Sequence, residues 1–369
     1  MRCGVHTGNG PANKSMMNRQ FQRMYRLSRM IWQAGLGILP FLCFLAFSTA
    51  ALAADPSTAV SPVIVTLTAG ATVAKIQEAL DALPAAGGEI VLPAGKTIVT
   101  RPIMLNRNGL ALRGAGDSTV LFLANDANCP VIIMGEPVNH PGHVSHLRVS
   151  DLFIDGNRAH QQREIWRVQG EGSEIRNNGI TAQNVSDSVI ENVTTAHCRS
   201  GGLVTTLNTR RLQVRNLNSF DNEFDGLACF MTSSSTFTQL YLHDNADGAG
   251  ISLDGNFGHN VIDHAVLSGN DLGIFMRWSH DNQFRDISIR DSHTYGVFMA
   301  ENLGESSIGQ SQTECINNSF VNISGNQCGD ALFRVNDVTC TNNVATGVKF
   351  SGNVHGELSL ALPGLLLVK

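Results

Sequence analysis

Charged side chains are scarce in this chain. Asp, Glu, Lys and Arg supply 15% of its 369 residues, against about 25% in an ordinary soluble domain. The formal charge of −5 comes with no basic stripe, which argues against nucleic acid as a partner. Helix-forming segments are equally scarce. Only Thr72 to Leu83 reads as a good amphipathic helix, with Thr72 as N-cap, Ile76, Ala79, Leu80 and Leu83 on one face, and Pro84 behind it. What is present instead is glycine (36 residues) and abundant asparagine, the composition of many turns.

The glycines are periodic. Gly179-Ile180, Gly202-Leu203, Gly226-Leu227, Gly250-Ile251, Gly273-Ile274 and Gly296-Val297 recur every 23 or 24 residues. After each Gly the first and third positions are mostly apolar, as in Ile251/Leu253 and Ile274/Met276, which is the alternation of a short strand with one buried face. A second column runs in register: Ile190-x-x-Val193, Val214-x-x-Leu217, Phe237-x-x-Leu240, Ile262-x-x-Ala265, Phe284-x-x-Ile287 and Phe320-x-x-Ile323. The residue before its second apolar member is Asn192, Asn216, Gln239, His264, Asp286 or Asn322, a polar ladder suited to a bend. Each repeat thus holds at least two strands and tight turns, with no room for a crossover helix. Stacking every strand on its counterpart in the next turn satisfies this, which predicts a parallel β-helix from about Ile98 to Leu360, lidded by the Thr72–Leu83 helix.

The N-terminus reads as an export signal over residues 1–53. Arg19, Arg23, Arg26 and Arg29 precede an apolar run, and Ala51-Leu52-Ala53 offers small residues for cleavage. The expectation is a single domain over 54–369, secreted or periplasmic, monomeric and without a stable membrane anchor. Six cysteines then remain. Cys315 and Cys340 occupy equivalent positions in matching Cys-x-Asn-Asn contexts one rung apart, where a disulfide is expected. Cys229 reads as a buried small hydrophobe, and Leu303–Thr313 as a polar loop inserted into the repeat.

The run from Ile76 to Gly95, with Leu112-Arg-Gly-Ala-Gly116 and Ile154-Asp-Gly-Asn-Arg158, resembles the opening of pectate-lyase-superfamily proteins. The resemblance implies an all-β fold, a right-handed parallel β-helix. It also implies a protein acting on polysaccharide, as a uronate lyase, a uronan C5-epimerase or a glycoside hydrolase. The Asp-Pro-His sequence of the epimerases is absent, as is the Arg-Ile-Lys of polygalacturonases. Several lyases of the superfamily use Ca²⁺, and Asp221, Glu223, Asp225, Asp244 and Asp247 are the oxygen donors at hand for it. The simpler reading is that Asp221, Asp244 and Asp291, with Asn222, Asn245 and Asn270 beside them, are turn columns. No cofactor at all is the corresponding alternative.

Two successive rungs stand apart. Where earlier rungs carry Gln183, Thr206 and Phe230, the next two carry Asp254 and Arg277, followed by His259 and by Trp278-Ser-His280-Asp281. Alternation puts Asp254 and Arg277 outward and side by side. Removing the C5 proton of a uronate needs a base and a cation for the enolate-like carboxylate, roles that His259 or His280 and Arg277 fit, with an Asp to orient the imidazole. Trp278, Arg158, Arg163 and Trp166 are candidates for contacting sugar. A hydrolase would instead use two carboxylates, Asp254 and Asp281 being the nearest pair. A non-catalytic binding solenoid is the third reading. His264 reads as structural, and His143, His146 and His197 as turn or surface residues.

Overall fold

The computed structural model describes residues 63–138, 140–162, 177–245, 247–299 and 314–369. Residues 1–53, where an export signal is expected, Arg163, Trp166 and residues 303–313 lie outside the described residues. The lid helix spans Val73–Ala82, its first turn closed by the Lys75 N–H donating to the Thr72 hydroxyl at 3.3 Å, and Val73, Ile76 and Leu80 face the core. Among the described residues no helix is long and apolar enough to cross a membrane.

Behind the lid the chain winds as a right-handed coil of parallel strands. The register of the longest sheet repeats the apolar column of the sequence: Ile190 pairs with Val214, Val214 with Phe237, Phe237 with Ile262, Ile262 with Phe284 and Phe284 with Phe320. The glycine column builds a second sheet, in which Leu203, Leu227, Ile251, Ile274 and Val297 stack in order. A short third sheet joins Phe257–Gly258, Ser279–His280 and Cys315–Ile316. The interior is one continuous apolar cluster running from Val73 to Leu366.

The polar column has a backbone cause. Ile190 and Val193 both face inward although they are three residues apart, which strict alternation forbids. The intervening polar residue resolves this by turning the chain through the left-handed region. Asn192, Asn216, Gln239, His264, Asp286 and Asn322 all have φ between 52° and 56°, where Asn and Asp are tolerated best among residues with a Cβ. Inside the coil, Asn222, Asn245 and Asn270 form an amide ladder: the Asn222 side chain and backbone donate to Asn245 Oδ1 at 3.0 and 3.1 Å, and Asn245 repeats this on Asn270 at 2.9 and 3.1 Å. A second ladder, Asn260, Asn282, Asn318 and Asn343, runs along another corner.

Cys315 and Cys340 do stack on adjacent rungs, and the Cys315 N–H donates to Cys340 Sγ at 3.2 Å, but both are free thiols. The geometry explains why the expected bridge is not made. Equivalent inward positions on parallel strands hold their Cβ atoms about 4.8 Å apart with parallel bonds, whereas a disulfide draws them to about 3.8 Å with a near-perpendicular torsion. Burial pushes the Cys315 thiol well up, with the Cys340 contact adding to it. It also lifts Cys129 and Cys328 to about 11 and Cys229 to about 12. A thiol at 11 is about one part in a thousand thiolate at pH 8, so an aromatic disulfide reagent is expected to leave the folded protein nearly unlabelled. Titration of all six thiols within minutes, without denaturant, would contradict this placement.

Candidate functional site

The Asp254–Arg277 pair forms as the sequence predicts, but in a closed place. Arg277 Nε donates to both Asp254 carboxylate oxygens at 3.0 Å, and Nη2 donates to Oδ2. Asp254 is 4% exposed and Arg277 2%, so neither lines an open groove. Alternation sets the direction of a side chain and says nothing of what covers it. Gln183 and Thr206, two rungs and more away in the same column, are buried too. The pair acts on the neighbouring turn instead. Asp254 Oδ1 also accepts from the Gly255 N–H at 2.7 Å, which fixes the chain entering Asn256.

From that turn the exposed part of the site is built. The Trp278 carbonyl accepts from the Asn256 and Phe257 N–H groups at 3.0 and 3.1 Å, placing the half-buried Trp278 next to the corner. One rung on, the His280 ring lies directly over Gly258, where an added Cβ would come within 2.4 Å of Cε1. Only glycine admits the ring there. His280 Nδ1 is 2.8 Å from Asp281 Oδ2, and Nε2 is 2.8 Å from Asn256 Oδ1.

His259 stands edge-on to His280, with centroids 5.3 Å apart at 85°, and its Nε2 is 4.0 Å from Asp281 Oδ2. Its side chain is 63% exposed, against 28% for His280 and 37% for Asp281. Asn317 completes the group by donating to Asp281 Oδ1 at 3.1 Å. The His280 hydrogen bond, and after it that of Asn317, holds the Asp281 carboxyl below the usual carboxylate range. The structure therefore joins His259, His280 and Asp281, and adds Asn256, Gly258 and Asn317. A readable sign of the added residues is the dipeptide column His259-Asn260, Asp281-Asn282, Asn317-Asn318 and Asn342-Asn343, whose second members are the buried ladder.

Other candidates fall elsewhere. Arg158 donates to Asp221 at 2.8 Å beyond the C-terminal end of the long sheet, whereas His259 precedes its strand Val261–Ser268. Eight residues of strand put roughly 20–25 Å between those two corners. Among the described residues, no three of the five acidic residues named for Ca²⁺ bring ligand atoms within 4.8 Å of one another. Asp221 also faces His197 at 3.5 Å, Glu223 meets Arg199 at 2.8 Å, Asp225 accepts the Ala249 N–H at 2.8 Å, and Asp244 pairs with His243 at 2.7 Å. Three potential ligand atoms within 4.8 Å of one another occur, among the described residues, at His259, His280 and Asp281 and at Asp263, His264 and Asp286. The former is a nitrogen-rich set that suits a transition metal better than calcium. His264 itself occupies the bend on the outer face of the long sheet, 63% exposed and 3.0 Å from Asp263.

The family described as "Right handed beta helix region" matches residues 143–271. Among solved structures, the chain is similar to a Geobacillus virus E2 protein, ORF18, with TM-score 0.59 and 12% identity over 80% of this chain and 56% of that one. It is similar to an alginate lyase from Paenibacillus sp. str. FPU-7 (TM-score 0.58, 11% identity, 81% of this chain and 99% of that one). It is also similar to the polygalacturonase of Erwinia carotovora ssp. carotovora (TM-score 0.54, 12% identity, 87% and 100%). No curated protein sequence matches it. At such identities the likeness is one of backbone, and it agrees with the coil of parallel strands: the chain folds as a right-handed parallel β-helix.

Proposed function

We propose that this protein is an exported enzyme that acts on an acidic polysaccharide by removing the C5 proton of a uronate unit. The observation that carries the reading is the exposed corner on which two imidazoles share one carboxylate, His280 bonded to Asp281 at 2.8 Å and His259 edge-on beside it. Two like groups in different surroundings can divide the work of acid and base. His259, the more exposed, its Nε2 4.0 Å from the nearest carboxylate oxygen among the described residues, takes the C5 proton. His280, its ring nitrogens 2.8 Å from Asp281 and from Asn256, stands beside the carboxylate and stabilises it as it gains enolate character. The electron pair left at C5 then expels the O4 substituent, whose oxygen takes a proton from water, giving an unsaturated uronate, or C5 takes a proton from water on the face opposite His259, giving the epimer.

Arg277 has a different part from the one its type suggests. Buried against Asp254, it holds the turn that presents Asn256 to His280. The same burial weighs against a hydrolase, because Asp254 is not on an open surface to pair with Asp281 across a glycosidic bond. Backbone likeness to an alginate lyase and a polygalacturonase supports carbohydrate as the substrate class.

The test is incubation with alginate, polygalacturonate and neutral glucans, with and without a chelator. Ultraviolet absorbance reads the unsaturated product and proton NMR the epimer. Turnover of an acidic polymer that survives chelation is the expected result. Turnover of neutral glucans alone overturns the reading. Binding without turnover identifies a carbohydrate-binding solenoid, and activity abolished by the chelator moves His259, His280 and Asp281 from acid–base work to metal ligation.

A further inference from the structure

The corner that carries His259 continues toward the N-terminus as a single stripe. Strand register pairs Ser145 with Ser186, Ser186 with Arg210, Arg210 with Ser233, Ser233 with Gly258, Gly258 with His280 and His280 with Ile316. The residue after each of these is His146, Asp187, Arg211, Ser234, His259, Asp281 or Asn317, and all seven have φ between 50° and 60°. A left-handed residue with a Cβ is uncommon. Seven in register are one turn repeated, so their side chains leave the coil along one line, about 4.8 Å per rung. Arg210 and Arg211 therefore lie two rungs, roughly 10 Å, from Gly258 and His259.

The two arginines are not equivalent. Arg211 is committed: its Nε and Nη2 each donate to Asp187 at 2.7 Å, and Ser186 Oγ donates to the same carboxylate at 2.7 Å. Those bonds, Arg211 first, hold the Asp187 carboxyl well below its usual range, so the pair stays ionised. Arg210 is half-buried and meets no carboxylate among the described residues. It donates to the Asn208 carbonyl at 3.3 Å and lies 3.4 Å from His143 Nε2, which is itself 2.9 Å from Ser186 Oγ. A planar guanidinium with open donors, beside an exposed imidazole, is suited to grip a carboxylate bidentately.

We propose that Arg210, flanked by His143, is a subsite for a second carboxylate of the same polymer, so that an acidic chain lies lengthwise along this corner with one unit at His259 and another two rungs away. This rests on the proposed polyuronate reading of the His259 corner. A monomer reaches only one of the two places, whereas an oligomer spans both, so the stripe selects for regularly spaced negative charge.

Binding is best measured without turnover, in a His259→Asn background, by calorimetry with alginate and polygalacturonate oligomers and a neutral glucan oligomer. Adding Arg210→Gln should weaken the acidic oligomer roughly tenfold or more, the scale of one lost charge-assisted bidentate contact, and flatten the salt dependence of its binding. Arg285→Gln, on the outer face of the long sheet, is the control and should bind as its parent. Unchanged affinity in Arg210→Gln, or an equal loss for the neutral oligomer, overturns the subsite. Failure of the base assignment shows separately, as turnover retained by His259→Asn with Arg210 intact, and leaves the binding result to stand by itself.

Discussion

His259→Asn is expected to lower turnover of an acidic polysaccharide by about 10²-fold or more, the usual scale of a lost general base, while leaving the fold unchanged. The substitution is chosen for its backbone. His259 has φ of 60°, and the same corner carries Asn317 at 59° and Asn342 at 58°, so asparagine is already the native solution two and three rungs on. The imidazole is 63% exposed, and its removal takes nothing from the core. Initial rates together with a thermal melt separate the two effects. Turnover within a few-fold of the parent, at an unchanged melting temperature, removes His259 from the reaction.

Acid should affect the Asp281 carboxyl late. The Asp281 carboxyl has its folded value depressed by His280 and Asn317. Its contribution is therefore complete above the unfolded carboxylate value of about 3.9, and is lost only as pH falls through the lower folded one. A decline in activity between pH 7 and 5 thus cannot originate in Asp281.

The fold was legible because the coil repeats. Gly250, Gly273 and Gly296 announce the second sheet, and Ile262, Phe284 and Phe320 the long one, since each rung must bury the same two faces. The site was legible only in part. His259, His280 and Asp281 fall in consecutive rungs and were found as neighbours, because register converts a spacing of about 23 residues into adjacency. Three things were hidden. Whether Asp254 and Arg277 meet water depends on what closes over the second sheet, which periodicity does not encode. Asn256 reaches His280 only because Gly258 leaves room for the ring. Arg210 and His143 sit in rungs where the third sheet shrinks to single bridges, so no strand pattern flags their shared corner.

The largest loss of stability from a single exchange is expected at Arg277→Met. Arg277 and Asp254 are 2% and 4% exposed and joined through two guanidinium nitrogens. An exposed pair of this kind is worth under about 1 kcal/mol. Here, removing the cation leaves a desolvated carboxylate with the Gly255 N–H at 2.7 Å as its remaining hydrogen bond among the described residues. Breaking one side of a buried pair costs about 3–5 kcal/mol, whereas replacing both partners by apolar groups of similar volume is often close to neutral. The double variant Asp254→Leu/Arg277→Met should thus recover most of what the single one loses, and neither difference should respond to salt, which screens buried charge little. Urea unfolding with unchanged slope reads the stability. Hydrogen exchange at the Asn256 and Phe257 amides, both bonded to the Trp278 carbonyl, reads whether the loss is local to this turn. A single variant within 1 kcal/mol of the parent would place the pair at the surface. A double variant as stable as the parent but depleted in turnover would establish that the pair is kept for presenting Asn256 to His280, not for holding the coil together.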